Sequence, residues 1–146
     1  MKTIMVTGSA GFIGSILCKK MVEEYNVIAI DRKANPKFDH PNFVPIMGDI
    51  SDRSFLKDTF KLYPSDVIIH CAAYSNKKIF RSINSEQFQR TNVIATENIC
   101  KEAVHANSEV TFIFLSSVSV YGEKYLNKII SETDSVCPTS DYAISK

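Results

Sequence analysis

Hydrophobic and polar positions follow two rhythms along this chain. Short apolar runs recur at Thr3-Ile4-Met5-Val6, Val27-Ile28-Ala29-Ile30, Val67-Ile68-Ile69 and Phe112-Ile113-Phe114-Leu115. Runs this short and this apolar read as strands buried on both faces. Between them, apolar residues return at helical spacing: Ile13, Ile16, Leu17 and Met21, then Phe55, Leu56 and Phe60, then Phe88, Ala95, Ile99 and Ala103. The pattern predicts strands over 2–7, 26–31, 43–47, 66–71 and 110–116, and helices over 12–24, 53–62 and 86–106. Ser51 or Asp52 supplies the start signal of the second helix.

Strands that alternate with helices imply right-handed crossovers and a parallel sheet with helices on both faces, an α/β fold. The 146 residues suit one domain, 1–146. Two stretches read as surface loops: Asn35–Asn42, which carries two prolines, and Tyr74–Asn84, where Lys77, Lys78 and Arg81 are expected to be solvated.

Composition narrows the function classes. A net charge of +1 offers no basic excess for nucleic acid or an anionic membrane. No apolar run approaches the ~18 residues of a membrane span. Cys18, Cys71, Cys100 and Cys137 are widely spaced, which fits neither a metal site nor a disulfide framework. A reduced cytoplasm is the expected compartment.

The first strand runs into Val6-Thr7-Gly8-Ser9-Ala10-Gly11-Phe12-Ile13-Gly14. Three glycines on a strand-to-helix turn allow a tight bend, a bare backbone and close helix–strand contact. The helix start adds N–H groups and a partial positive charge suited to a diphosphate. The spacing Gly-x-x-Gly-x-x-Gly is a variant of the dinucleotide fingerprint. Asp31 ends the second strand 17 residues after Gly14, close to the ~20 expected of a ribose-binding carboxylate. A doubly wound strand order of 3-2-1-4-5 follows from that reading.

The fifth strand leads into Ser116-Ser117-Val118-Ser119-Val120-Tyr121, and the chain ends Tyr142-Ala143-Ile144-Ser145-Lys146. A hydroxyl beyond a carboxyl strand end faces the cofactor crevice. Tyrosine and lysine four apart on a helix share a face. An ammonium beside a phenol favours the phenolate and makes tyrosine an acid/base at neutral pH. His70 and Cys71 read as packed strand residues, and Tyr121 as structural.

Taken together these motifs resemble the extended short-chain dehydrogenase/reductases, the NAD-dependent sugar epimerases and dehydratases, along the whole chain and in particular the N-terminal half of UDP-galactose 4-epimerase-like enzymes. The resemblance implies a Rossmann domain cut before the last strands and the substrate domain. It implies that Gly8, Gly11, Phe12, Ile13 and Gly14 form the cofactor turn, and that Asp31, with Arg32 beside it, meets the adenosine ribose. Asp49 and Ile50 follow strand three, where the family's Asp meets the adenine amino group. Cys71, Ala72 and Ala73 run under the cofactor, and Asn92 stands near the active site. Ser117, Tyr142 and Lys146 match the catalytic Ser/Thr, Tyr and Lys, the last two also holding cofactor. The Ser117–Tyr142 interval of 25 residues is like that of the epimerases.

The implied chemistry is hydride transfer between a sugar carbon and nicotinamide, with a nucleotide sugar as substrate and no metal. Asp31 favours NAD over NADP, because a carboxylate repels a 2′-phosphate; Arg32 tempers that preference. Ser117-Val118-Ser119 stands where 4,6-dehydratases carry Thr-Asp-Glu, which argues against a dehydratase. Ser75 stands where many epimerases carry a lysine. A reductase or dehydrogenase of the same fold, and a noncatalytic dinucleotide-binding module, are the alternatives. Family members run about twice this length, so the chain is expected to be the first part of a longer enzyme and inactive alone. A homodimer through the long helix is the expected assembly.

Overall fold

The structure is a computed structural model and describes residues 1–33, 39–75, 85–125 and 129–146. Lys77, Lys78, Arg81 and residues 35–38 of the first predicted loop lie outside the described residues. The elements run β1 (Thr3–Thr7), α1 (Phe12–Met21), β2 (Asn26–Asp31), β3 (Phe43–Met47), α2 (Arg53–Leu62) and β4 (Val67–His70). There follow α3 (Ser85–Phe88), a π-helical stretch (Gln89–Ile94), α4 (Ala95–Ala106), β5 (Thr111–Phe114), a 3-10 stretch (Val118–Tyr125) and α5 (Asp141–Ile144).

The five strands form one parallel sheet in the order β3-β2-β1-β4-β5. Thr7, at the end of β1, lies opposite both Ile30 and His70, so the carboxyl ends of β1, β2 and β4 are level. The chain leaves β1 and β4 toward opposite faces of the sheet. That divergence opens a crevice at the switch point, where doubly wound sheets bind ligands.

Alternation along each strand sorts the core into two layers. Met5, Ile28, Ile30 and Ile68 meet Leu56 and Phe60 of α2 and Ala95, Ile99 and Ala103 of α4. Ile4, Val6, Val27, Ala29 and Ile69 meet Cys18 and Val22 at α1. Each fully buried aliphatic side chain contributes about 1.5–3 kcal/mol of transfer free energy. Asp52, not Ser51, caps α2: its Oδ1 accepts from the amides of Ser54 (2.9 Å) and Phe55 (3.2 Å).

One boundary and one helical winding differ from the sequence reading. Helix α1 ends at Met21, because the amides of Glu24 and Tyr25 both close onto the Met21 carbonyl. The helix predicted over 86–106 is continuous, with Phe88, Ile94 and Ala95 all in the helical region of φ/ψ. Its middle is wound wider, however: the Ala95 amide donates to the Arg90 carbonyl, five residues back.

Candidate functional site

The glycine turn is held by the contacts its sequence permits. Gly8 has φ +70°, and a Cβ there would lie 2.6 Å from the Ala72 nitrogen. A Cβ on Gly14 would lie 2.2 Å from the Gly8 carbonyl oxygen. Both positions therefore exclude any larger side chain, and α1 starts directly against the end of β1. The Gly11 amide donates to the Gly8 carbonyl at 3.0 Å and closes the turn.

In front of this turn lies a cleft of about 220 Å³. Of the residues predicted to bind cofactor, Gly8, Gly11, Asp31, Arg32, Ile50, Cys71, Ala72 and Ala73 line it. Asp31 also braces the turn: one carboxylate oxygen accepts from the Ala10 amide (3.0 Å), the other from the Lys33 amide (2.9 Å). Each oxygen has a further lone pair for a sugar hydroxyl. The bare backbone at Gly8 and Gly11, the helix start and this carboxylate fit a dinucleotide.

Other predicted positions lie outside the cleft lining. Phe12 and Ile13 are 84% and 50% exposed at the start of α1, so what they can offer a phosphate is main-chain N–H. Asp49 shapes the turn into α2, its Oδ1 accepting from the Ser51 amide at 2.8 Å, while its neighbours Gly48 and Ile50 line the cleft. Asn92 is buried and turned inward. Its Oδ1 accepts from the Tyr74 amide (2.7 Å), and its Nδ2 donates to the Tyr74 carbonyl (3.0 Å) and to Ser145 Oγ (2.9 Å). Both amide hydrogens are thus taken up inside the protein. Ala10, Ile30, Lys33, Gly48 and Thr91 line the cleft without having been singled out from sequence. Their signal was adjacency to a predicted cofactor residue: Gly11, Asp31, Arg32, Asp49 and Asn92 respectively.

Ser117 follows β5, Lys146 reaches back to Phe114 at the carboxyl end of that strand, and Tyr142 stands on α5 against Phe88. Helix α5 is a single turn whose N-cap Ser140 accepts from the Ala143 amide at 3.2 Å. It is fastened by Ser145, which donates to the Tyr142 carbonyl (2.8 Å) and accepts from Asn92. The Tyr142 ring packs 6.1 Å from Phe88, which in turn meets Tyr74 edge-on at 5.1 Å. Ser116 reaches the Lys146 carbonyl at 3.4 Å. The three side chains do not bond to one another among the described residues. Ser117 Oγ donates to Ser119 Oγ (3.1 Å) and accepts from the Ser119 amide (3.2 Å). Lys146 Nζ lies 4.3 Å above the centre of the Phe114 ring. Burial pulls the Lys146 ammonium below the usual lysine value, opposed by Cys71.

His70 is fully buried at the end of β4 and packed between Phe112 and Phe114, as its strand position predicted. Its Nδ1 lies 2.6 Å from Thr7 Oγ1 and its Nε2 2.9 Å from Thr96 Oγ1. Burial, and then the Lys146 charge, push it down to about 4, so the ring is neutral at ordinary pH. Burial raises Cys71, so this thiol is no ready nucleophile. Among the described residues no helix is long and apolar enough to cross a membrane, and no His, Cys, Asp and Glu group could hold a metal.

Glycine turn, strand-end carboxylate and switch-point cleft define a doubly wound dinucleotide-binding fold. The chain belongs to the NAD dependent epimerase/dehydratase family, whose model matches residues 4–146, and so to a family of NAD-dependent enzymes. It is 33% identical to the human dTDP-D-glucose 4,6-dehydratase, over 99% of this chain and 44% of that protein. The structure of Bordetella bronchiseptica WbmH in complex with NAD+ superposes with a TM-score of 0.85 at 26% identity, over 99% of this chain and 49% of that one. The UDP-glucose 4-epimerase of Thermotoga maritima with UDP-glucose gives a TM-score of 0.81 at 29% identity, over 99% and 47%. The chain spans just under half the length of each of these three proteins.

Proposed function

We propose that this chain is the NAD-binding portion of a sugar-nucleotide epimerase-like oxidoreductase. The observation that carries this reading is the docking of α5. Asn92 and Ser145 fasten the turn bearing Tyr142 and Lys146 at the carboxyl ends of β4 and β5, beside the dinucleotide cleft. An acid/base pair is thereby supported next to the cofactor's crevice rather than on an unrelated surface.

Gly8, Gly11 and Gly14 would seat the diphosphate, with the main-chain amides of Phe12 and Ile13 at the helix start. Asp31 would take the adenosine ribose hydroxyls and, by its charge, prefer NAD to NADP, Arg32 beside it notwithstanding. Cys71, Ala72 and Ala73 would form the floor, and Ile50 the adenine end. Asp49 and Asn92 would act on the cofactor indirectly, by shaping the turn before α2 and by fastening Tyr142. When bound, NAD supplies a reversible acceptor for hydride.

The Tyr142 phenol oxygen would take the proton from a sugar hydroxyl as the carbonyl forms, and return it in the reverse sense. Lys146, within one helical turn of Tyr142, would hold the nicotinamide ribose beside it. Ser117 would turn its hydroxyl from Ser119 to the same sugar oxygen. Ser117-Val118-Ser119 contains no carboxyl group for eliminating water, so the reading is an epimerase rather than a dehydratase. A nucleotide sugar is the substrate class, and the free cysteines suit the cytoplasm. Ile94 and Val104, 46% and 56% exposed on the long helix, suit a homodimer there.

The test is Tyr142→Phe in the native full chain, with UDP-glucose as the probe. Loss of kcat by about 10²–10⁴-fold is expected, the range for a removed general acid/base, with NAD affinity kept. Unchanged turnover would overturn the catalytic assignment and leave a noncatalytic module. Oxidised sugar product with release of reduced cofactor would replace the epimerase by a net dehydrogenase.

A further inference from the structure

The buried polar groups under the cleft form one directional chain. Thr96 Oγ1 spends its hydrogen on the Asn92 carbonyl, at 2.6 Å. It can therefore only accept from His70, which places the ring hydrogen on Nε2. His70 Nδ1 then carries the lone pair and accepts from Thr7 Oγ1, which itself accepts from the Ala72 amide at 3.4 Å. Every donor points the same way, from the cleft wall at Ala72 to the middle of the long helix.

The helix is not regular where this chain arrives. The Ala95 amide bonds five residues back, to Arg90. A π-turn shifts the partners of the surrounding carbonyls and is costly unless something else stabilises it. Here the Thr96 hydroxyl takes the Asn92 carbonyl, and the Asn92 side chain swings in to grip Tyr74 and Ser145. An apolar residue at position 70 would fill the core as well as histidine. What it could not do is donate to Thr96.

We propose that His70 is a positioning residue. Through its bond to Thr96 it holds the widened helical turn that aims Asn92 at Tyr74 and Ser145, and so sets where Tyr142 stands. The consequence for catalysis rests on the reading of Tyr142 as the acid/base; the consequence for the helix does not.

The test pairs variants in the native full chain. Thr96→Val keeps the shape of the side chain and removes the hydroxyl, while Thr96→Ser keeps the hydroxyl. The readout is amide hydrogen exchange at Tyr74, whose N–H is held by Asn92, against that at Ile69 in the sheet. Thr96→Val is expected to speed Tyr74 exchange about tenfold, the equivalent of one lost hydrogen bond, with Ile69 within about twofold and Thr96→Ser like the native protein. No change at Tyr74, or an equal rise at both amides, overturns the proposal.

Position 70 gives a second arm. His70→Gln can keep a donor at the Nε2 position and should protect Tyr74. His70→Asn keeps only the group nearer Thr7 and should not. The reverse order overturns the proposal, and if neither variant folds, native exchange at Tyr74 in Thr96→Val still overturns it. With UDP-glucose as probe, Thr96→Val should lower kcat about tenfold at unchanged KM. If Tyr142→Phe proves fully active, the acid/base reading fails, and exchange at Tyr74 in His70→Gln against His70→Asn still decides the role of His70.

Discussion

The ammonium of Lys146 lies 4.3 Å from the centre of the Phe114 ring, so the last residue of β5 carries the cation of the candidate acid/base pair. A half-buried cation over an aromatic face gains about 0.5–2 kcal/mol. A double-mutant cycle of Phe114→Leu and Lys146→Met, followed by urea unfolding, should return a coupling in that range. A coupling of zero would mean that the ring merely happens to lie beneath the chain.

Gly14→Ala should damage the cofactor turn more than a helix-favouring substitution normally could. The new Cβ would lie 2.2 Å from the Gly8 carbonyl oxygen, a backbone atom that cannot rotate away. Helix α1 must move off the strand end, at a cost of about 1–3 kcal/mol in stability, as for other overpacked sites. Calorimetry should find NAD binding weakened about tenfold or more, by the same energy. Native affinity with native melting would contradict this account of the turn.

Asp31→Asn tests the double duty of the strand-end carboxylate. The amide has one acceptor oxygen where the acid has two, so either the Ala10 or the Lys33 bond is lost. NAD affinity should fall about tenfold, and the preference over NADP should shrink because the negative charge is gone. Titrating both dinucleotides into native and variant protein measures the two effects separately.

Stability should fall as the solution is acidified through the His70 window. The unfolded histidine takes a proton near 6.5, whereas the folded one refuses it until about 4. Between those values the unfolded state binds more protons, so stability is complete above the upper one and declines toward the lower. The loss is on the order of 3 kcal/mol. Unfolding curves at pH 7 and pH 4.5 should diverge less in His70→Gln than in the native chain; equal slopes would remove His70 from the linkage.

The prediction of strands and helices succeeded because each element carries its own periodic signal. Ile4–Val6 of β1 and Val27–Ile30 of β2 are apolar throughout and buried on both faces, so their role did not depend on knowing their neighbours. The widened turn at Gln89–Ile94 was not legible. Phe88, Ala95, Ile99 and Ala103 all face the core as their spacing predicts, and one extra residue in the helical winding leaves that spacing readable as an ordinary helix. Asp49 and Asn92 stood at the expected places in the chain, yet their partners were invisible there. Ser51 claims an oxygen of the first, and Tyr74 and Ser145 claim the second.

From its residues alone this chain determined a parallel sheet, the order of its strands, and a glycine turn followed by a strand-end carboxylate, because periodicity and fixed short spacings are local properties. Only the tertiary structure decided which groups meet. It put Lys146 on Phe114 rather than on Tyr142, widened the winding of the long helix just before Thr96, and joined Asn92 to Ser145 across 53 positions of sequence. Hydrogen bonds and ring contacts act over a few ångströms in space, and no pattern along the chain records which distant residues will be brought within that reach.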